Sequence, residues 1–325
     1  RYQDRGLLGE GGMGQVRRLL DRDLRRTVAI KTMRPELLEE PRSLARFVEE
    51  AQLVAQLEHP GILPIHELGQ LADGRYYFTM REVRGQTLSQ VIERAHWRAR
   101  RDGQPPQLGK LLEQLRRASE AVGHAHRLSV IHRDLKPHNI MVDDDGVVVV
   151  LDWGLAKLVG EQAHPSQTAD PAPEPSGVST SRDRLGGFRT EYGEITGTPA
   201  YMAPEQALGE LERLGPPTDV YALGCILFEI LTGRRAWPQE HWPQLLMRKI
   251  QGTLDPLEEV ASHAPPAPLA RLCQRALALD PGERPASAVE FTEELGAWLE
   301  GQWRRERADE LAAQADELAS QREEM

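Results

Sequence analysis

The chain has 325 residues, of which 40% are hydrophobic and 28% charged, and a formal net charge of −10. This composition is typical of a globular protein that can bury a sizeable core. The acidic balance argues against a general nucleic-acid or membrane-surface binder, whose electrostatic footprint would be basic. Only two cysteines occur, Cys225 and Cys273. We expect both to be buried thiols in a reducing compartment.

The sequence contains no apolar run of about 18 residues and no secretory signal pattern, so we expect no membrane contact within it. It begins at Arg1 rather than Met and stops at Met325 within a repeating pattern. We therefore expect a piece of a longer protein. We expect this part to be cytoplasmic, although the longer protein could be membrane-anchored.

Residues 6–16 read GLLGEGGMGQV, which predicts two strands joined by a glycine-dense hairpin. Glycines leave the hairpin tip without bulky side chains, so its backbone N–H groups can approach an anionic ligand. The spacing also matches a dinucleotide-binding motif, but that motif should open a helix, and here another strand follows. Taken alone, the segment is also compatible with a flexible hairpin.

The next predicted strand, TVAIKTM at residues 27–33, is interrupted by Lys31, which either reaches solvent or faces a partner anion. Apolar residues at helical spacing then predict a helix over 43–57. This helix carries Glu49 and Glu50, and one of the two could turn towards Lys31.

Short apolar segments over residues 62–84 predict two or three further strands of one antiparallel sheet. The composition becomes helix-like near Gly85, where we place a domain boundary. Residues 97–109, WRARRDGQPPQLG, are basic and contain Pro and Gly. They predict a surface loop, with a partner-docking patch as the alternative. A helix is predicted over 110–127.

Residues 131–139 read IHRDLKPHN, a concentration of polar side chains around a proline that predicts a positioned loop acting on a phosphate. A turn at 143–146 and a buried strand, VVVVL, follow. Asp152 comes directly after this strand. An aspartate in that position can hold a hard cation through oxygen, although a simple strand-ending turn is equally compatible.

Seven motifs now stand in order: GEGGMGQV, VAIK, HRDLKPHN, DWG, GTPAYMAPE, DVYALG and GERP. Together they cover residues 6–299 and resemble the eukaryotic-like (Hanks-type) serine/threonine protein kinases, particularly the bacterial members. The resemblance implies an α+β, bilobal protein kinase fold. The expected parts are a small antiparallel-sheet N-lobe with one main helix (1–84), a larger, mostly helical C-lobe (85–299) with a long mobile activation segment (155–195), and a helical tail (300–325).

The resemblance also implies an active kinase that uses ATP and Mg²⁺, or Mn²⁺, to phosphorylate Ser or Thr hydroxyls of protein substrates, with no nucleic-acid partner. Phosphoryl transfer requires mainly positioning and charge neutralisation. The implied catalytic residues are Asp134, Lys136, Lys31 and Glu50, and the implied metal ligands are Asn139 and Asp152. Glu50 is favoured over Glu49 because its context, EEAQ, matches the family. The implied ATP-binding residues are Gly9, Glu10, Gly11, Gly12, Gly14, Val16, Ala29, Lys31, Met80, Arg81, Val83 and Met141.

Three architectural pairings follow from the same resemblance. Thr198 should bond Asp134 and Lys136, Asp219 should hold the backbone of the HRD turn, and Arg284 should pair with Glu205. The chain departs from the family at Trp153, where phenylalanine is usual. We expect Trp153 to pack with His132, Val54 and Ile65 and to be tolerated in the active state, although it could bias this segment between active and inactive packing.

The segment from 161 to 187 is rich in Pro, Ala, Ser and Thr and cannot form a core of its own. Arg133 beside Asp134 suggests autophosphorylation and control through this region, because a phosphate could pair with the guanidinium. The expected phosphosite is Thr190, followed by Thr196. Lower-ranked candidates are Ser176, Ser179, Thr180 and Ser181. An insertion with no switch role is the alternative.

The tail repeats ADELA one heptad apart, which places Leu311 and Leu318 on one helix stripe. Two heptads leave open whether this helix forms a homodimer or is a solvated helix.

Two other functions of the chain remain open. A pseudokinase binding module is disfavoured because no charged catalytic position is lost. A small-molecule kinase is disfavoured by GTPAYMAPE, which resembles a platform for protein substrates.

Overall fold

The computed structural model describes residues 1–158, 198–238 and 241–323. The N-terminal part is a five-stranded antiparallel sheet with the strand order β1-β2-β3-β5-β4. Its strands are β1 (Tyr2–Glu10), β2 (Gly14–Asp21), β3 (Arg26–Met33), β4 (Ile65–Gln70) and β5 (Tyr76–Arg81). The predicted glycine-dense hairpin is therefore the β1–β2 turn.

One helix, α1 (Pro41–Gln56), covers this sheet. It begins with a proline, whose fixed φ and missing N–H suit the first turn of a helix. Phe47 is fully buried on α1 and lies 5.1 Å from the ring of Phe78 on β5, centroid to centroid. Met33 completes the cluster. This contact attaches the helix to the face of the sheet that also carries Lys31, because Lys31 pairs directly with Phe78.

The C-terminal part is mostly helical, with two small antiparallel sheets beside it. The sheets contain β6 (Gly85–Thr87), β8 (Ile140–Asp143) and β9 (Val148–Val150) in one, and β7 (Val130–Ile131) and β10 (Lys157–Leu158) in the other. The helices are α2 (Leu88–Asp102), α3 (Leu108–Arg127), α4 (Pro204–Ala207), α5 (Pro216–Thr232), α6 (Trp242–Gln251), α7 (Leu257–Val260), α8 (Ala267–Ala276) and α9 (Ala288–Glu323).

The helix α5 is the centre of this part. Every residue from Thr218 to Thr232 is buried, and the free thiol Cys225 lies among them. A helix that is apolar on all sides belongs in a core, and α3, α8 and α9 all pack against it. The second free thiol, Cys273 on α8, is buried too. The predicted α+β fold of a small sheet followed by a larger helical part is confirmed.

Several local predictions were wrong. Residues 97–102 continue α2 instead of opening a surface loop, because Gly103 at φ 64° ends the helix only there. Val147 is partly exposed, so the buried strand is shorter than the valine run. Residues 157–158 of the expected mobile segment form β10, which pairs with β7.

The expected tail is not separated from the helical part, because α9 continues from Ala288 to Glu323 without a break. Its first half packs on α3, with Phe291 and Leu295 fully buried. The side chains of Leu311 and Leu318 lie outside the described residues, so a dimer contact through them stays a prediction. In the described part of the chain, no helix is long and apolar enough to cross a membrane.

A buried ion pair ties the α8–α9 connection to α4. The Arg284 guanidinium contacts both Glu205 oxygens, at 2.8 and 2.9 Å, and neither side chain is more than 1% exposed. Arg284 also donates to the carbonyl oxygens of Pro217, Ala278 and Leu279. This bidentate, hydrogen-bonded geometry compensates for the loss of water around both charges.

Replacing Glu205 by Gln should lower the free energy of unfolding by about 3–5 kcal/mol, because it leaves a buried guanidinium without its counter-charge. Urea unfolding followed by far-ultraviolet circular dichroism measures the change. The matched control is Arg275→Gln, which removes exposed ion pairs to Glu290 and Glu294 and should cost about 1 kcal/mol or less. Equal effects of the two substitutions would contradict this account.

Candidate active site

The charged pair between the sheet and α1 is formed as expected. Lys31 Nζ lies 2.7 and 2.9 Å from the two Glu50 oxygens and 3.6 Å from Asp152 Oδ1. Burial alone would lower the pKa of Lys31, but the carboxylates of Glu50 and Asp152 outweigh burial and raise it above its ordinary value. The ammonium is thus held charged on the central strand of the sheet.

Gly154 makes room for this pair. A Cβ atom on Gly154 would lie 3.1 Å from Glu50 Oε2 and 3.5 Å from Asp152 Oδ1. Any side chain there would crowd both carboxylates. The glycine of the DWG motif is therefore required for the close approach of the segment after β9 to the Lys31–Glu50 pair.

The loop after β7 owes its shape to one fully buried carboxylate. Asp219, near the start of α5, accepts the backbone N–H groups of His132, at 2.7 Å, and Arg133, at 2.8 Å. His126 Nε2 lies 2.9 Å from the same carboxylate. Burial would raise the pKa of Asp219, but the bonds from His126 and the charges nearby hold it below its ordinary value. The predicted role of Asp219 in holding the HRD backbone is confirmed.

Arg133 has a backbone φ of 70°, in the left-handed region that non-glycine residues rarely adopt. Its N–H is held by Asp219, and its carbonyl accepts from Gln206 Nε2 at 2.9 Å. Two bonds to residues far along the chain thus stabilise a strained conformation. The result is a sharp bend immediately before Asp134.

The Asp134 carboxylate is held by Thr198 and by Lys136. Its Oδ1 accepts from the backbone N–H and the hydroxyl of Thr198, both at 2.8 Å, and its Oδ2 lies 2.7 Å from Lys136 Nζ. Lys136 Nζ also donates to the Thr198 hydroxyl at 2.6 Å. The predicted contacts of Thr198 with Asp134 and Lys136 are confirmed.

Asn139 and Asp152 are presented by loops that are bonded to each other. Asn139 Nδ2 donates to the Asp134 carbonyl at 2.9 Å, and the Asn139 carbonyl accepts from the Leu151 N–H at 2.8 Å. Asp152 has a backbone φ of 60°, and its side chain is 53% exposed. This leaves a carboxamide oxygen and an exposed carboxylate as donors, the ligand types that Mg²⁺ prefers.

These two residues fit a magnesium ion that is shared with phosphate oxygens and water. Among the described residues, no group of three or more His, Cys, Asp and Glu side chains could hold a metal alone. Mg²⁺ is commonly bound through one or two protein oxygens plus substrate phosphates. The donor set therefore suits a metal that arrives with a nucleotide.

Trp153 is 2% exposed and packs as expected against His132, with ring centroids 4.6 Å apart. Val54 and Ile65 belong to the same apolar cluster. The indole N–H points to the Val150 carbonyl at 3.4 Å, a long hydrogen bond. His132 Nε2 donates to the Leu151 carbonyl at 3.0 Å, since its Nδ1 accepts the Asp134 N–H. The larger ring is thus accommodated in the core.

The expected adenine-binding side chains share one face of the sheet. Ala29 pairs directly with Met80, and Val16 pairs with Lys31, so all four side chains project to the same side. Met141 pairs with Thr87 in the second sheet. The connection from β5 to β6 contains Val83 and follows Arg81, which makes it the expected hinge.

The glycines of the hairpin do not all have the same role. A Cβ atom added at Gly9, Gly11 or Gly12 would meet nothing within 4 Å. At Gly14 it would overlap the carbonyl oxygen of Thr32 on β3. The first three are suited to covering a ligand, whereas Gly14 is needed for the pairing of β2 with β3. The remaining hairpin residue, Glu10, pairs with Arg34 at 3.2 Å.

Sequence reasoning missed two buried charges near the site. Glu82, in the hinge, has a 3% exposed side chain that contacts Arg18 on β2 at 2.6 Å. Lys249 on α6 is fully buried, and its Nζ donates to the Met202 carbonyl at 2.6 Å. The same Nζ lies 5.0 Å from the ring centroid of Trp237 and 5.1 Å from that of Tyr221. Burial lowers its pKa to about 8. Lys249 is the only lysine on α6, and no sequence pattern marks it as buried.

The expected regulatory positions cannot be placed in the same way. Arg133 is half-buried at the bend before Asp134. Thr190 and Thr196, and the serines and threonine ranked behind them, lie outside the described residues. Control by phosphorylation of these side chains therefore stays a prediction.

The unequal roles of the glycines can be tested by comparing two alanine substitutions. Gly14→Ala should destabilise the sheet by about 1–3 kcal/mol through overpacking against Thr32. Hydrogen exchange of the β2 and β3 amides should therefore become faster. Gly12→Ala is the matched control, and it should change this exchange by a small factor only, because open space surrounds it. Equal exchange in the two variants would contradict the assignment.

Comparison with known proteins agrees with this geometry. The sequence model of the protein kinase domain matches residues 2–295. The chain is 35% identical over 309 residues to the serine/threonine-protein kinase PknD of Protochlamydia amoebophila, covering 93% of this chain and 30% of that protein. It is 34% identical over 302 residues to the serine/threonine-protein kinase pkn3 of Myxococcus xanthus, covering 91% of this chain and 50% of that protein.

A probable serine/threonine-protein kinase PknB of Bifidobacterium longum is 32% identical over 309 residues, which cover 93% of this chain and 40% of that protein. The chain thus spans between about a third and a half of the length of these curated relatives. The match includes nearly the whole described fold and every motif from the glycine hairpin to GERP. The chain therefore belongs to the protein kinase family, in the group of bacterial serine/threonine-type kinases.

Proposed function

We propose that this chain transfers the γ-phosphate of ATP to Ser and Thr hydroxyls of protein substrates. The observation that carries the proposal is the arrangement around Asp134. Its carboxylate is fixed by Thr198 and Lys136, while Lys31, Glu50 and Asp152 form a second charged group nearby. Both groups are ordered by bonds to the surrounding fold.

Each residue has a physical role in this reaction. Asp134 accepts a hydrogen bond from the substrate hydroxyl and orients it, and Lys136 balances charge on the transferred group. Lys31 holds the α- and β-phosphates, and Glu50 keeps its ammonium in place. The open glycines of the hairpin offer backbone N–H groups to the phosphates. Catalysis then rests on positioning and electrostatic stabilisation.

The base of ATP would lie between Val16, Ala29 and Met80 on one side and Met141 on the other. Backbone groups of Arg81 and Val83 would bond its polar edge. Asn139 and Asp152 would hold Mg²⁺, or Mn²⁺, which when bound would neutralise phosphate charge. A cytoplasmic location is part of the proposal, because the reaction needs ATP and because both cysteines are free and buried.

The alternative of a pseudokinase binding module is less well supported. Such a module would typically lack a metal ligand, the base or the anchoring lysine. Here Lys31, Asp134, Asn139 and Asp152 are all present, and their side chains make the bonds described above. Protein substrates are favoured because the GTPAYMAPE segment resembles a platform for protein substrates; its Met202 carbonyl accepts a hydrogen bond from the buried Lys249.

Asp134→Asn should reduce phosphoryl transfer at least about a hundredfold, because the amide accepts the hydroxyl proton poorly. Radiolabelled ATP and a peptide mixture with fixed Ser, Thr or Tyr acceptors would be used, followed by phosphoamino acid analysis. The wild type should yield phosphoserine and phosphothreonine. A thermal-unfolding midpoint close to that of the wild type is the control for folding. Equal labelling by the wild type and Asp134→Asn, or labelling by neither, would contradict the proposal.

Trp153→Phe should change turnover by less than about tenfold. The indole is already packed against His132, and the bond it loses to Val150 is long, so the substitution mainly leaves a small void. Steady-state kinetics with the same peptide mixture checks this, with urea unfolding as the control. A rise in turnover of a hundredfold or more at unchanged stability would show instead that Trp153 holds the segment in an inactive packing.

A further inference from the structure

The exposed side of α2 carries a basic and aromatic surface that the phosphoryl-transfer site does not use. The residues on this side are Gln90, Glu93, Arg94, Trp97, Arg98 and Arg100. We call this surface, together with Arg101, the α2 face. Trp97 is 54% exposed, and the Arg101 guanidinium stacks 4.9 Å from the centre of its ring.

The arginines of the α2 face are only partly explained by the stability of the helix. Arg100 and Arg101 stand in the last turn, where cations favourably oppose the helix dipole. Arg94 and Arg98 stand in the middle of the helix and gain little from that effect. In the described part of the chain, no acidic side chain forms an ion pair with Arg94 or Arg98. The charge of Arg94 is thus available to a ligand, while that of Arg98 is partly balanced by Asp102, whose pKa is lowered mainly by Arg101 and also by Arg98.

The helix itself is rigid enough to present a fixed surface. Thr87 and Gln90 form a capping box at its start, and Gly103 closes its end in the left-handed conformation. Leu88, Ile92 and His96 anchor the opposite side in the core, and His96 Nε2 bonds the Ile230 carbonyl at 2.9 Å. An exposed tryptophan on a preorganised element costs little entropy to bind a partner. Trp and Arg are also the residues that dominate binding energy at interfaces.

The α2 face leads towards the catalytic loop. The helix packs against the turn Pro137–Asn139, which follows Asp134. A chain bound on α2 and continuing past His138 would therefore reach the acceptor position. From Glu93 to Arg100 the helix rises about 10 Å, the span of roughly three extended residues.

The positive charge of the α2 face indicates an acidic ligand. The chain as a whole carries −10, so an acidic segment would be repelled by most of its surface. The α2 face has four arginines against Glu93 and Asp102, and Asp102 is engaged by Arg101 at 2.7 Å. A local basic surface on an acidic protein selects acidic partners and rejects basic ones. Trp97 adds a site for an apolar side chain among the acidic residues.

We propose that the α2 face is a docking site for an acidic segment, containing at least one large apolar residue, of the protein substrate. The segment binds Arg94 and Arg98 through its carboxylates and Trp97 through its apolar side chain, and it delivers the neighbouring Ser or Thr past His138 to Asp134. The inference rests on the proposed kinase activity and adds the class of substrate to it.

The test compares two peptide mixtures that share a fixed Ser or Thr acceptor within random residues. One carries a flanking segment of four Asp or Glu residues and one Leu, placed on either side of the acceptor, and the other carries Asn and Gln instead. For the wild type, the acidic mixture should show a KM at least about tenfold lower at low salt. The variant Arg94→Gln/Arg98→Gln should lose this advantage and keep its kinetics on the neutral mixture. Trp97→Ala should lose part of it.

A charge reversal makes the test specific. Arg94→Glu/Arg98→Glu should raise KM for the acidic mixture above KM for the neutral mixture. The same variant should lower KM for a Lys-flanked mixture. A purely structural role of these arginines would not produce opposite changes. The matched control, Arg271→Gln/Arg304→Gln, removes two exposed arginines elsewhere and should leave both mixtures unchanged. Equal KM values for the acidic and neutral mixtures in the wild type would overturn the inference.

Two further outcomes are distinguishable. If no mixture is phosphorylated, the proposed function fails. Docking is then tested separately, by the fluorescence anisotropy of a labelled acidic peptide. The peptide must bind the wild type and must not bind Arg94→Gln/Arg98→Gln. If the variants instead change the oligomeric state in sedimentation, with unchanged peptide kinetics, the surface binds a second copy of the chain and the inference is wrong.

Discussion

The active site depends on the fully buried carboxylate of Asp219. Its two oxygens accept the consecutive backbone N–H groups of His132 and Arg133, and they also contact His126, whose Nδ1 accepts the first N–H of α9. A buried charge is stable only when it is fully hydrogen-bonded, so this arrangement permits little variation. It holds Arg133 in a strained conformation that no local interaction would maintain. The direction of the chain at the next residue, Asp134, follows from it.

The two parts of the fold meet through both charge and apolar packing. The main core cluster lies mostly in the helical part but includes Leu53, Val54 and Leu57 of α1, while smaller clusters form around Phe47 and Leu19. Lys31 on the sheet reaches Asp152 of the other part, and Gly154 lets this segment approach Glu50. These contacts bring charged groups of both parts together. The α2 face adds a locally basic surface to a chain whose net charge is −10.

Much of the fold followed from local patterns. The glycine-dense hairpin of the first strands, the helical spacing of α1 and α3 and the buried valines of β9 all predicted the elements that form. Residues 97–102 were the main failure, because a cluster of arginines suggested a loop, whereas the helix needs only one buried side and a terminal glycine. The continuous α9 was missed for a related reason. A change in composition along a helix alters what it contacts, but it does not end the hydrogen-bonding pattern.

The sequence by itself determined which chemical groups are present and their order, because motif residues such as Asp134 and Asn139 can be identified without coordinates. Tertiary structure decided how these groups meet in space. The resemblance favoured Glu50 over Glu49, and the rotation of α1 explains why Glu50 reaches Lys31, since adjacent helix residues point about 100° apart. The distinct role of Gly14 and the burial of Lys249 depend on strands and helices distant in the chain. Pairing, burial and pKa are properties of the packed neighbourhood, and a linear pattern does not contain that neighbourhood.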